Sequence, residues 1–402
     1  MTRRELNFAG RMQHLRASDI REILKVTQRP EVISFAGGLP ATELLPAAEM
    51  AELAREVLLS DGARALQYAP TEGLAVLREL IADRLGDRFG LHRTADEVLV
   101  VSGSQQALDL TGKVFLDEGD AVLCESPTYL GAINALRSYR PRFVEVPTDD
   151  DGMLPGELER LLGIEERARL IYVVPDFQNP SGRRWSVERR RSLVEIAARF
   201  SVPVVEDAPY AELCYEGEPL PTVASLDSSG LVIFFGTFSK ILSPGLRLGW
   251  VAAEPEILRR YVLVKQGVDL HTSSLTQLLA ARFMLDCDLE GHIERLRRVY
   301  RGRRDAMLAA LAADLPPGVR VTRPAGGLFL WLELPEGIDA RKLLEGCLEA
   351  QVAFVPGSAF FANGGHENTL RLNFSAMPEE RIAEGVRRLA RVLEEVLEPA
   401  PA

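Results

Sequence analysis

Histidine and cysteine are scarce in this chain, five and four among 402 residues. So few imidazoles leave little material for a His-rich metal centre, and no metal site is expected. Cys124, Cys214, Cys287 and Cys347 stand 60 or more residues apart, with no CxxC pair. Such spacing does not make a disulfide framework and fits incidental thiols in a reducing compartment. No apolar run approaches the ~18 residues that a membrane-spanning helix needs. The start, Met1-Thr-Arg-Arg-Glu-Leu-Asn-Phe8, lacks the apolar core of a secretion signal. Also missing are GxGxxG after a strand, a P-loop, an HExxH pair and a GxSxG elbow. Basic residues number 47 against 58 acidic, and the net charge of −11 opposes non-specific binding to a phosphate backbone. The expectation is a soluble, cytoplasmic protein with neither nucleic acid nor membrane as partner.

Apolar residues make up 47 % of the chain, which excludes a disordered polymer and supplies a sizeable core. From about residue 95, short β-branched runs alternate with amphipathic stretches. The runs include Glu97-Val-Leu-Val-Val101, Ala121-Val-Leu-Cys124, Leu170-Ile-Tyr-Val-Val174, Val202-Pro-Val-Val-Glu206 and Leu231-Val-Ile-Phe-Phe235. Continuous apolar runs, rather than alternation, mark strands buried on both faces. The intervening segments 105–116 and 187–200 read as helices. The predicted fold is therefore α/β: a large domain whose mostly parallel sheet is covered by helices on both faces. Past residue 285 the rhythm changes to a long charged helix near 289–312, short strands and a terminal helix near 379–397. This reads as a smaller α+β domain. The expected division is an N-terminal arm and helix at 1–36, a large domain at 37–288 and a small domain at 289–402. Within the arm, Ile20, Ile23 and Leu24 follow the cap-like Ser18 at helical spacing, and Pro30 ends the pattern.

In parallel sheets, ligands gather at the carboxyl ends of strands, and four such ends carry polar residues. Val100-Val-Ser-Gly-Ser-Gln-Gln106 turns from strand to helix, aiming free backbone N–H groups at one point, as a phosphate site requires. Taken alone, it also suits an ordinary tight turn. In Val174-Pro-Asp-Phe-Gln-Asn-Pro-Ser-Gly182, two prolines bracket Asn179 and present its amide rigidly. Val204-Val-Glu-Asp-Ala-Pro-Tyr210 places an acidic pair at the sheet edge. In Phe234-Phe-Gly-Thr-Phe-Ser-Lys-Ile-Leu-Ser-Pro-Gly-Leu-Arg247, Lys240 follows a buried-type strand, a poor setting for a solvated amine. A partly desolvated lysine has a lowered pKa and attacks carbonyls. Together the four ends describe one chemical need. Thr237, Ser239, Arg247 and a helix N-terminus would hold a phosphate, Lys240 would condense with an aldehyde, and Asp207 would keep a pyridine nitrogen protonated. Pyridoxal 5′-phosphate is the cofactor with those handles. Asn179 and Tyr210 can bond its ring oxygen, and Tyr129 in Pro127-Thr-Tyr129 can stack on its face.

These motifs, with Ser34-Phe-Ala-Gly-Gly-Leu-Pro40, Gln67-Tyr-Ala-Pro-Thr-Glu-Gly73 and Arg371-Leu-Asn-Phe-Ser375, run in one order over most of the chain. The sequence resembles the fold-type I, class I/II aminotransferases, most closely the 2-aminoadipate (LysN-like) branch. The resemblance implies that Lys240 holds the cofactor as a Schiff base and later shuttles a proton. It implies that Gly103, Ser104 and Gln105 join Thr237, Ser239 and Arg247 at the phosphate, and that Asp207 meets the ring nitrogen. Glu206 is the neighbouring acid, and alignment with Tyr210 favours Asp207. Thr237 stands where the family often has serine, and the hydroxyl is kept. Arg371, with Asn179, would grip the substrate α-carboxylate, and Gly38 would let backbone approach the substrate. The tyrosine matching Tyr68 reaches the phosphate of the neighbouring subunit, implying a homodimer with shared sites. Arg21 and Ser18 match residues that meet a distal substrate carboxylate in 2-aminoadipate aminotransferases; a structural arginine is the alternative.

The implied activity is transfer of an amino group, by ping-pong half-reactions, between an L-amino acid of 2-aminoadipate, branched-chain or aromatic type and 2-oxoglutarate, with glutamate and 2-oxoglutarate as one donor–acceptor pair. The 2-aminoadipate branch points towards lysine biosynthesis. One alternative keeps the cofactor but changes the reaction to a decarboxylase or lyase. Another is the effector domain of a MocR-type regulator, which would need a basic winged-helix domain before the motif block that starts near residue 34.

Overall fold

The computed structural model describes residues 7–13 and 31–397. Its centre is an eight-stranded sheet. In chain order its strands are β2 (Val98–Val101), β3 (Ala121–Ser126), β4 (Arg142–Asp149), β5 (Gly152–Met153), β6 (Ala168–Val173), β7 (Val204–Asp207), β8 (Val232–Thr237) and β9 (Gly249–Ala252). The spatial order is β2-β9-β8-β7-β6-β3-β4-β5. The neighbours from β4 through β3, β6 and β7 to β8 are parallel. Only β9, between β8 and β2, and the β5 hairpin run antiparallel. The short β5 went unread in the sequence because two residues carry no periodicity.

The apolar runs occupy both sides of this sheet. Leu99 and Val101 of β2 face one core layer with Val205, Ile233 and Phe235, while Val98 and Val100 face the other with Val204, Val232 and Phe234. Every residue of β2, β7 and β8 is buried. Each such Val, Ile or Phe contributes about 1.5–3 kcal/mol on leaving water. Helices cover the faces, among them Ser104–Phe115 and Val187–Phe200, close to their expected bounds.

A second sheet is antiparallel, in the order β10 (Arg320–Val321), β11 (Phe329–Glu333), β14 (Thr369–Asn373) and β13 (Val355–Pro356). Helices Leu289–Asp314 and Glu379–Leu397 accompany it. A short parallel pair, β1 (Ile33–Ser34) with β12 (Val352–Ala353), ties the start of the described chain to this C-terminal part. Just beyond it, Asn373 N–H donates to Phe35 O at 2.8 Å and Ser375 Oγ to Leu39 O at 2.7 Å. Residues 35–39 are thereby laid along β14. Among the described residues no helix is long and apolar enough to cross a membrane.

Candidate active site

The carboxyl ends of β2, β6, β7 and β8 converge on a cavity of about 400 Å³, a size typical of small-molecule sites. At one end, β2 turns through Gly103 into helix Ser104–Phe115. Gly103 has φ +84°, and a Cβ there would lie 2.5 Å from Arg247 Nη2, so both backbone angle and space require glycine. Ser104 and Gln105, in the first helical turn, have N–H groups without intrahelical acceptors. The Gln105 side chain is engaged elsewhere, donating to Gly131 O at 3.2 Å. Opposite, Thr237 Oγ1 donates to Ser239 Oγ at 2.9 Å and accepts the Ser239 N–H at 3.1 Å. Arg247, exposed at the rim with φ +52°, reaches Ser102 O at 3.5 Å. Two hydroxyls, one guanidinium and a helix N-terminus thus surround one space, the arrangement that binds an anion.

At the other end stands Lys240, whose Nζ donates to Gly38 O at 2.8 Å. Burial, reinforced by Arg371 and Arg247, lowers its pKa to about 8. Its amine therefore has a substantial neutral, nucleophilic fraction near neutral pH. Asp207 lines the same cavity. Its Oδ2 accepts the Tyr172 hydroxyl at 2.8 Å, while Oδ1 is buried with no partner. Burial lifts this carboxyl to about 6, against the pull of the Tyr172 hydrogen bond. An open buried oxygen of this kind awaits a donor.

Arg371, on β14, is 2 % exposed. Its Nη1 donates to Asn179 Oδ1 and its Nη2 to Ala36 O, each at 2.7 Å, while Nε has no partner. Phe329 and Phe360 flank the guanidinium at 4.2 and 4.9 Å. Burial pushes its pKa down to about 10, still charged at neutral pH. Asn179 Nδ2 stands 3.5 Å from Tyr210 Oη, and burial raises the Tyr210 phenol well above its ordinary range. Tyr129, half-buried, lines the wall; a Cβ on Gly131 would lie 2.3 Å from its Cζ, so that glycine makes room for the ring.

The structure therefore gathers Lys240, Asp207, Asn179, Tyr210, Tyr129, Gly38, Ser104, Gln105, Thr237, Ser239, Arg247 and Arg371 around one cavity, with Gly103 packed behind Arg247. Tyr68 is not among them. It is 78 % exposed, and among the described residues its ring meets the edge of His271, at 5.7 Å between rings. Arg21 and Ser18 lie outside the described residues. The sequence reading missed Tyr172, Ala36, Phe329 and Phe360. Tyr172 had a signal, since a tyrosine inside an apolar buried strand needs a partner for its hydroxyl. The other three are brought in by the C-terminal sheet, which local patterns do not position.

Residues 30–389 match the family described as aminotransferase class I and II. The chain belongs to that family. It is 50 % identical over 392 residues to the 2-aminoadipate transaminase of Thermus thermophilus, covering 97 % of this chain and 96 % of the relative. Aromatic-amino-acid aminotransferase 1 of Thermococcus litoralis is 44 % identical over 395 residues, 97 % and 95 % of the two chains. Among solved structures, LysN, the α-aminoadipate aminotransferase of Thermus thermophilus, complexed with N-(5′-phosphopyridoxyl)-L-leucine, superposes with a TM-score of 0.91. It is 46 % identical and covers 97 % of this chain and 98 % of its own. The protein is a fold-type I aminotransferase, and its cofactor is pyridoxal 5′-phosphate. The cavity fits that group: its lining offers an anion cradle, an unpartnered carboxylate oxygen for a ring N–H, and a lysine amine of lowered pKa.

Proposed function

We propose that this aminotransferase moves an amino group between an L-amino acid of 2-aminoadipate, branched-chain or aromatic type and 2-oxoglutarate, in alternating half-reactions at one site. The observation that carries this reading is the shared cavity of Lys240, Asp207 and Arg371. Lys240 would hold the cofactor aldehyde, Asp207 its ring nitrogen, and Asn179 with Tyr210 its ring oxygen. Tyr129 would cover the ring face; the amides of Ser104 and Gln105 with Thr237, Ser239 and Arg247 would hold the phosphate. Bound there, the cofactor supplies an electron-poor ring that delocalises negative charge developing at the substrate Cα.

The chain's own groups do the rest. Arg371, already aimed by Asn179 and Ala36, offers its remaining N–H groups to the substrate α-carboxylate in a fixed fork. That grip orients the Cα–H bond towards Lys240, whose Nζ takes the proton and returns it. Asp207, kept from water, favours a protonated ring nitrogen. A division at 37–288 and 289–402 places the cofactor groups on the first part and Arg371 on the second.

We further propose a homodimer in which Tyr68 completes the partner's phosphate site. Its exposure, outside the cavity of its own chain and beside exposed Leu66, supports this. Four free cysteines support a cytoplasmic setting. The similarity to the 2-aminoadipate transaminase of Thermus supports a 2-aminoadipate substrate, and with it the lysine-biosynthesis setting that the resemblance implies.

Borohydride reduction of the holoenzyme followed by peptide mass analysis should find the phosphopyridoxyl group on Lys240. Lys240→Ala should lose both that label and at least about 10⁴-fold in transamination. A label elsewhere would remove Lys240 from its role. For the substrate, kcat/KM with 2-oxoglutarate is to be compared for aminoadipate, leucine and phenylalanine. Arg21→Ala should weaken aminoadipate about tenfold more than leucine, the scale of one charged contact; equal losses would make Arg21 structural.

A further inference from the structure

Behind the turn formed by residues 102–106, outside the cavity, lies a charged pair. Lys265, fully buried on helix Pro255–Gln266, donates from Nζ to Asp269 Oδ1 at 2.7 Å. The other oxygen, Oδ2, accepts from Gln106 Nε2 at 2.7 Å and from Ser102 Oγ at 3.0 Å. Gln106 Oε1 in turn accepts the Ser102 backbone N–H at 2.7 Å. Ser102 Oγ also stands 3.3 Å from Thr272 Oγ1. One carboxylate thus pins both ends of the turn, and Gly103, Ser104 and Gln105 lie between the pins.

We propose that Asp269 is a positioning residue for the cofactor phosphate, fixing the turn that presents the Ser104 and Gln105 amides, with Lys265 cancelling its charge. This rests on the reading that those amides and Arg247 hold the phosphate. The balance matters because Asp269, only 23 % exposed, is incompletely screened from a like charge at the phosphate. Burial alone would raise the Asp269 pKa, and the hydrogen bonds from Lys265 and Gln106, the Lys265 charge and the Ser102 hydroxyl outweigh it and hold the group ionised. An anion behind a phosphate cradle is tolerable only with its cation in place. Removing Lys265 therefore leaves uncompensated negative charge, whereas removing Asp269 loosens the turn but leaves a positive field. Removing both charges restores balance.

The test titrates cofactor-free protein with pyridoxal 5′-phosphate and, separately, with pyridoxal, which lacks the phosphate, following the absorbance of the bound form. Lys265→Met should raise the Kd for the phosphate form about tenfold and Asp269→Asn about threefold. The double variant should recover only the electrostatic part, binding the phosphate form more tightly than Lys265→Met but no better than Asp269→Asn, and pyridoxal should bind all of them alike. Ser102→Ala, which removes one donor and no charge, is the milder probe should Lys265→Met fold poorly; a phosphate-specific loss of about threefold is expected. Parallel losses for both ligands, or an unchanged Kd in Lys265→Met and Ser102→Ala, would overturn the proposal. Arg247→Ala checks the underlying reading separately: if it spares the preference for the phosphate form, the cradle itself is misplaced.

Discussion

Glu206 and Asp207 are adjacent, both buried, both at the end of β7, and both carry a pKa lifted by burial, to about 7 and about 6. Successive strand residues face opposite ways, and the two carboxylates meet different surroundings. Glu206 accepts the N–H groups of Val223 and Ala224, each at 2.8 Å, closing the start of helix Val223–Leu226. Asp207 has one oxygen on Tyr172 and the other open. Glu125 repeats the first pattern, accepting Val174 N–H at 2.9 Å and Trp185 Nε1–H at 3.0 Å, which steadies the loop bearing Asn179. Arg371 repeats the second, with its Nε unpartnered. A buried charge whose bonds are all met by protein holds structure together. The open valences of Asp207 and Arg371 differ from other buried unpartnered atoms, such as Arg78 Nε and Arg93 Nε, in that both residues line the cavity, where a ligand can meet them.

The comparison can be broken at its sharpest point by making both members of the β7 pair neutral. Asp207→Asn should lower kcat by about 10³-fold, having lost the charge that favours a protonated ring nitrogen. In the cofactor-free protein the same change should help. The folded pKa of Asp207, about 6, lies above its unfolded value, so its contribution is full below that unfolded value and is lost as pH rises through 6. Urea unfolding of the cofactor-free wild type should show about 3 kcal/mol lost through this group between about pH 4 and pH 8, absent in Asp207→Asn. A wild-type and variant profile of equal slope would refute the assignment.

Arg371→Lys keeps the charge but not the fork, and should cost about 10²-fold in kcat/KM for acidic and apolar donors alike. A loss confined to acidic donors would move Arg371 from the α-carboxylate to the side chain. Glu206→Gln should do the reverse of Asp207→Asn. A neutral amide has one acceptor oxygen for two N–H donors, so stability should fall about 1–3 kcal/mol while kcat stays within about threefold. A large kcat loss in a variant of unchanged Tm would erase the distinction between the two carboxylates.

Much of this site was legible in advance because many of its cavity-lining groups sit on strand–turn–helix units whose local pattern is strong. Apolar runs marked β7 and β8, and the polar residues that followed them, Asp207 and Lys240, had to emerge at one edge of the sheet. Gly103 was read through resemblance alone, and its φ of +84° supplies the physical reason. The choice of Asp207 over Glu206 came from resemblance, and the alternation along β7 supplies its physical reason. Other features had no local signal. The pairing of β1 with β12 joins residues more than 300 positions apart, and the Gly38 carbonyl reaches Lys240 only because residues 35–39 lie along β14. Phe329 and Phe360 read as ordinary core residues in the sequence. Their neighbours alone make them part of the site.

By itself, then, the order of residues determined the class of fold, the strand ends where chemistry gathers and the residue types available there, since periodicity and turn chemistry act over a few positions. Tertiary structure decided which of two adjacent acids faces the cavity, what aims Arg371, and which buried groups keep an open valence. Those outcomes depend on contacts between distant segments, where burial and hydrogen-bond partners are set by the packed whole.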